Sequence, residues 1–145
     1  MAVLHLINQV VPDLRGKKVT ICGKSNTVGM PLSLLLTKQN ATVSLCHSLT
    51  PDIESYVKQA DIFVSAIGKP RFFQGEWFKE GVVIIDVGIN VIHNEDLNQR
   101  RIVGDVDFES ALEACSYITP VPGGVGPITV AMLMNNIVLS WERRS

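Results

Sequence analysis

The sequence predicts an α/β fold in which a doubly wound, mostly parallel sheet carries helices on both faces. Three observations point to it. Short β-branched runs alternate with stretches of helical patterning along the chain. The run Val82 to Val87 (VVIIDV) is almost wholly apolar, as a strand covered on both faces must be. Glycines and polar residues gather just after the β-branched runs, where the carboxyl ends of parallel strands meet ligands.

Taken in order, Val3 to Gln9 reads as a helix that Gly16 separates from the first strand, so residues 1–15 form a connecting helix and linker. Val19-Thr20-Ile21-Cys22 is the first strand, and Pro31 to Lys38 (PLSLLLTK) is a leucine-rich helix. Thr42 to Leu45 is the second strand. Asp52 to Gln59 is a helix with Pro51 placed as a first-turn residue. Asp61 to Ala66 and Val82 to Val87 are the third and fourth strands, and Tyr117 to Thr119 is a short fifth. A last helix runs from Ile128 to Trp141. Such an alternation closes through right-handed crossovers into one sheet.

At 145 residues the chain has room for one domain. A content of 46% hydrophobic against 19% charged residues excludes disorder. Thirteen Lys and Arg against fourteen Asp and Glu give a net charge of -1 with no basic half, which argues against a nucleic-acid partner. Cys22, Cys46 and Cys115 stand far apart without a CxxC, the pattern of reduced thiols in a cytosol-like compartment. The opening MAVLHLINQVVPDLRG has no charged leader region. The late apolar stretch VAMLMNNIVLSW is split by Asn135-Asn136, so no membrane segment is expected.

The first strand runs into Gly23-Lys24-Ser25-Asn26-Thr27-Val28-Gly29. Gly23 permits a sharp turn, Gly29 permits close helix–strand approach, and the next helix offers unpaired N–H groups to an anion. The P-loop pattern fails because Lys18 stands where its first glycine belongs, and the GxGxxG pattern fails at Ser25. A phosphate cradle and a plain strand–helix turn both fit this loop. The second strand ends in Cys46-His47-Ser48 with no acid to hold ribose hydroxyls; a hydroxyl, an imidazole and Lys24 suit a 2′-phosphate better. His47 by itself reads as an ordinary loop histidine. Asp86 and Asp105 read as strand-end carboxylates that cap backbone N–H groups. The run Thr119 to Thr129 holds three prolines and three glycines, an extended loop whose backbone can approach a flat ligand.

Six segments stand in one order: GKSNTVGMP, ATVSLCHSLT, ADIFVSAIGKP, VIIDVGIN, VGDVDF and ITPVPGGVGPITVAML. Together they resemble the NADP-binding, Rossmann-like domain of the bifunctional methylenetetrahydrofolate dehydrogenase/methenyltetrahydrofolate cyclohydrolase family, from about Val3 to Ser140. Two departures stand out: Lys24 replaces the family's arginine, and Ile128 replaces its methionine. The family's Tyr-x-x-x-Lys pair belongs to an N-terminal folate-binding lobe, and here Tyr56 is followed four residues on by Ala60 and Tyr117 by Val121. That lobe is therefore expected to be absent from this chain.

The resemblance implies hydride transfer from 5,10-methylenetetrahydrofolate to NADP+, with NAD+ as the alternative cofactor, and then hydrolysis of the methenyl product. It implies that Gly23, Lys24 and Ser25 hold the phosphates, with Ser48 near the 2′-phosphate. Ile89 and Thr129 would position the ribose and nicotinamide. The backbone of Pro122, Gly123, Gly124, Val125 and Gly126 would line the folate side. It implies a homodimer and a cytoplasmic enzyme, or a mitochondrial one if a transit peptide lies upstream. Rival readings are a dinucleotide-binding module without chemistry, a subunit completed by another chain, and a flavodoxin-like or nucleoside-triphosphate domain, which the failed P-loop pattern weakens.

Overall fold

The computed structural model describes residues 2–94 and 99–143. Strands β1 (Lys18–Cys22), β2 (Thr42–Cys46), β3 (Ile62–Ser65), β4 (Val82–Asp86) and β7 (Cys115–Ile118) form one sheet in the order β2-β1-β3-β4-β7, and every pairing is parallel. Helices α1 (Ala2–Val10), α2 (Gly29–Lys38), α3 (Ile53–Gln59), α4 (Phe108–Ala111) and α5 (Val125–Glu142) join them, with a 3-10 turn at Gly75–Trp77. Strands β5 (Asn90–Asn94) and β6 (Gln99–Val103) pair as a separate antiparallel hairpin. The expected five-stranded α/β sheet is therefore present.

Alternate residues of the central strands divide the core in two, as a pleat requires. Ile62, Val64, Val83 and Ile85 face α1, α2 and the start of α5, where Ile7 and Leu36 are fully buried. Phe63, Val82 and Ile84 face the other way, against Val57 of α3, Phe73, Phe78 and Ala111 of α4. The Phe63 ring meets Phe73 and Phe78 edge-on at 4.8 and 5.1 Å.

Three expectations need correction. Asp52 takes a left-handed backbone (φ 48) and α3 begins after it, so Pro51 precedes the cap instead of sitting in the first turn. Helix α5 begins at Val125, three residues before the expected Ile128. Its third residue is Pro127, where a missing N–H costs nothing because the first four N–H groups of a helix have no internal partner. The hairpin is an addition to the expected elements. Arg100, Arg101 and Ile102 are exposed, so its strands carry no two-sided apolar signature.

Two buried carboxylates hold the carboxyl edge of the sheet. Asp105 accepts hydrogen bonds from Ser65 Oγ (2.8 Å), the backbone N–H of Ile67 (2.7 Å), Gly68 (3.2 Å) and Lys69 (3.0 Å), and Asn90 Nδ2 (2.9 Å). Asp86 accepts from the N–H groups of Gly88 (2.9 Å), Asp105 (3.2 Å) and Val106 (2.8 Å), while its own N–H donates to Thr119 Oγ1 (2.8 Å). Their structural role matches the sequence reading.

Burial pushes the Asp86 carboxyl up from 3.8 to about 6; the Asp105 charge adds to the rise and the three N–H donors oppose it. A raised carboxyl pKa contributes stability that is complete below the unfolded value and lost as pH rises through the folded one. The unfolding free energy of the parent, less that of Asp86→Asn, should therefore shrink by ~2–3 kcal/mol between about pH 4 and pH 6.5. Urea titrations across that range check it, and a pH-independent difference would contradict it.

Candidate functional site

The chain passes from β1 to β2 on one side and returns to β3 on the other, so the strand order reverses between β1 and β3. Ligands of open α/β sheets bind in the crevice at that reversal. Gly23 sits directly over it. Its N–H donates to Cys46 O (2.9 Å), and the Ala66 N–H donates to Cys22 O (2.8 Å). Gly23 has φ 118, and a Cβ there would strike the Ala66 carbonyl oxygen. A Cβ on Gly29 would strike the Gly23 carbonyl oxygen in turn. Only glycine fits either place, and the turn is as tight as the sequence implied.

Past that turn, Ser25 Oγ accepts from the Val28 N–H (3.1 Å) and Ser25 O from the Met30 N–H (3.1 Å). The N–H groups of Lys24, Asn26 and Gly29 donate to no group among the described residues. No side chain caps α2. An exposed Lys24 stands beside these free donors, without an ion pair among the described residues. Free N–H groups, a helix N-terminus and a cation together suit an anion such as a phosphate.

Cys22 and Cys46 are register partners, so the loop after β2 starts beside the Gly23 turn. There the His47 N–H donates to Thr50 Oγ1 (2.9 Å), and His47 Nδ1 accepts from the Leu49 N–H (3.2 Å). Ser48 lies between them, exposed. Ile89, 69% exposed, follows β4, where a Cβ on Gly88 would run into the Asp105 carboxylate. Three strand spacings, roughly 14 Å, separate the Ser48 loop from the Ile89 loop. The edge thus has room for an extended ligand with Gly23 to Ser25 between its ends.

The proline-glycine run divides differently from the sequence expectation. Pro120 to Gly124 form a turn, while Gly126, Pro127, Ile128 and Thr129 already belong to α5. Val125 is buried in the core, so its side chain does not line a cleft. Thr129 sits within the helix, where its Oγ1 donates to Val125 O (3.0 Å). Gly123 has φ 99, and a Cβ on Gly124 would strike Pro120 O and come within 2.9 Å of Thr119 Cβ.

Ala66 to Pro70 read from sequence as one of the ligand-facing strand ends but without an assigned role; Ala66 to Lys69 fill the strip between the Gly23 and Ile89 loops. The signal for them lies in Gly68 (φ 69) and in the Asp105 of VGDVDF, which binds three of their N–H groups. A hollow of about 650 Å³ opens between Arg71, Arg101, Asp86, Thr119 and Pro122. It adjoins the proline-glycine turn but not the Gly23 loop, where the free N–H groups lie.

Gly124→Val should lower stability by ~1–3 kcal/mol by overpacking against Pro120 and Thr119. Gly126→Ala is the control: nothing lies within 4 Å of its added Cβ, and a helical alanine gains ~0.5–1 kcal/mol over glycine. Thermal unfolding of both variants checks the pair, and a Gly124→Val chain that melts like the parent would contradict the close packing.

The family model for the tetrahydrofolate dehydrogenase/cyclohydrolase NAD(P)-binding domain matches residues 1–145. The bifunctional protein FolD of Caldicellulosiruptor saccharolyticus is 51% identical over 138 residues, which cover 95% of this chain and 48% of that protein. The crystal structure of the Campylobacter jejuni FolD superposes with a TM-score of 0.90 at 45% identity, covering 99% of this chain and 49% of that one. A Trypanosoma brucei FolD complexed with NADP cofactor and inhibitor gives 0.91 at 42% identity, over 99% and 49% of the two chains. This chain spans about half the length of the curated relatives it matches. It belongs to the tetrahydrofolate dehydrogenase/cyclohydrolase family, as that family's NAD(P)-binding domain.

Proposed function

We propose that the chain is the NADP+-binding lobe of an enzyme that oxidises 5,10-methylenetetrahydrofolate and hydrolyses the methenyl product to 10-formyltetrahydrofolate. The free N–H groups at Lys24, Asn26 and Gly29, packed over the strand reversal, carry the reading. Gly23, Lys24 and Ser25 hold the phosphates, and Ser48 takes the 2′-phosphate. Ile89 and the first turns of α5, at Thr129, position the ribose and nicotinamide. When bound, the nicotinamide ring supplies the hydride acceptor. Pro122, Gly123, Gly124 and Gly126 line the folate side, and Val125 contributes backbone there while its side chain anchors the turn.

Residues 1–145 form one lobe, with residues 1–15 as the connection to a second, folate-binding lobe. The exposed Val130, Leu133, Met134, Ile137 and Val138 on α5 support a covering lobe of that kind. Val91 and Ile102 are exposed register partners on the hairpin, which supports a homodimer. Unpaired thiols at Cys22, Cys46 and Cys115 support a reducing compartment such as the cytoplasm. No helix among the described residues is long and apolar enough to cross a membrane. A second reading, a dinucleotide-binding or assembly module without chemistry, draws support from the lack of a Tyr-x-x-x-Lys pair in these 145 residues.

The chain should bind NADP+ about tenfold more tightly than NAD+, the low end for a charged hydrogen bond because Lys24 lacks the planar fork of arginine. A Lys24→Ala, Ser48→Ala double variant should lose that margin while its NAD+ affinity holds. Calorimetric titration checks this; equal losses for both cofactors would move these residues to the shared pyrophosphate, and a preference for NAD+ would overturn the assignment. Alone, the chain should form no NADPH from methylenetetrahydrofolate, because the surfaces that orient folate for near-attack come from the second lobe. Turnover on the order of 1–10³ per second would contradict that.

A further inference from the structure

Cys22 ends β1 and Cys46 ends β2, and the two are register partners on adjacent parallel strands. Neighbouring strands lie ~4.8 Å apart, inside the roughly 4.4–6.8 Å between Cα atoms that a disulfide spans. Both side chains lie in the core on the α3 face of the sheet, and both thiols are free. The Cys22 and Cys46 thiols stand close enough to shift each other's titration. The neighbouring Cys46 and burial push the Cys22 thiol up, while Cys22 draws the Cys46 thiol below its ordinary range although burial alone would raise it. Neither thiol has a part in the function proposed above.

Access is unequal. Cys46 lines a hollow of about 350 Å³ with His47, Thr50, Pro51 and Tyr56, and Cys22 does not line it. The residues directly after the two cysteines are Gly23 and His47-Ser48, the loops of the candidate site. Gly23 is packed so closely on Ala66 that the place admits no Cβ.

We propose that Cys22 and Cys46 are a modification site that hydrogen peroxide converts to a reversible disulfide, and that the cross-link weakens dinucleotide binding by the adjoining loops. The Cys46 thiolate attacks one peroxide oxygen, the O–O bond breaks, and hydroxide leaves and is protonated to water. Cys46 is then a sulfenic acid. Cys22 gives up its proton as its sulfur attacks the Cys46 sulfur, the S–O bond breaks, and a second water leaves. Two thiols lose two electrons and the peroxide gains them. A bridge usually holds its Cα atoms ~5.5–6 Å apart, so closing it presses the end of β1 away from β2 and Gly23 against Ala66. The cross-link stands on strand register alone, whereas its effect on affinity rests on the cofactor site proposed above.

A Cys115→Ser chain removes the remaining thiol, which is half-buried at the start of β7. Treated with hydrogen peroxide, this chain should lose the mass of two hydrogens and yield a peptide joining Cys22 to Cys46, and dithiothreitol should restore it. By calorimetry the dissociation constant for NADP+ should rise roughly five- to tenfold in the oxidised form. An unchanged mass, or oxygen gained at Cys46 without a link, would overturn the proposal. A cross-linked chain that binds NADP+ as tightly as the reduced one would overturn its coupling to the cofactor site. A reduced chain that binds no NADP+ refutes the cofactor site and with it the affinity effect, while the mass still decides the cross-link.

Discussion

Asp105, fully buried, accepts hydrogen bonds from Ser65, Ile67, Gly68, Lys69 and Asn90, and the loops after β3 and β4 take their positions from those bonds. A carboxylate is acceptor-only when ionised and can take about four hydrogen bonds in a fixed arrangement. Three of the bonds tether the backbone of Ile67, Gly68 and Lys69, which has no regular secondary structure, and two come from side chains at the end of β3 and the start of β5. Asp86 extends the same scheme to Gly88, Val106 and, through its own N–H, to Thr119 at the head of the proline-glycine turn. Two buried carboxylates are costly, and the hydrogen bonds they accept offset that cost.

With those loops fixed, the Gly23 turn can be packed to backbone contact. Gly23 lies on Ala66 and Gly29 lies on Gly23, a stack that admits no Cβ at either glycine. The stack brings the first turn of α2 down onto the strand reversal with its N–H groups unspent. On the proposed function, anion recognition comes from backbone geometry, in a chain whose net charge of -1 offers no general attraction. Lys24 and Ser48 stand on the neighbouring loops of β1 and β2, where the proposed function has them discriminate between dinucleotides that share a pyrophosphate.

The parallel sheet is legible in the sequence because its central strands β1, β3 and β4 are buried on both faces, and VVIIDV can be little else. The hairpin is not, since Arg100 and Arg101 face solvent and a solvated ribbon needs no apolar code. The start of α5 is hidden because prolines and glycines usually mark loops, yet Pro127 occupies a helical position that asks for no N–H. Val125 shows the same limit: inside a glycine-rich run nothing announces a core residue. The anion loop is legible as a shape and ambiguous as a function, because Ser25 breaks the familiar glycine spacing. The assignments of Ile89 and Thr129 come from family resemblance, and the intrahelical bond of Thr129 is beyond any reading of spacing.

On the proposed function, a dinucleotide lies along the carboxyl edge, from the β2 loop across the Gly23 turn to the β4 loop. Titrating the ¹⁵N-labelled chain with NADP+ and tracking its amide resonances tests that placement most directly. The largest shifts should fall on residues 23–29, 47–50 and 87–89, with the hairpin amides of Ile92 and Arg101 left in place. Shifts concentrated on the hairpin, or on the opposite edge around Asp61 and Lys79, would contradict it.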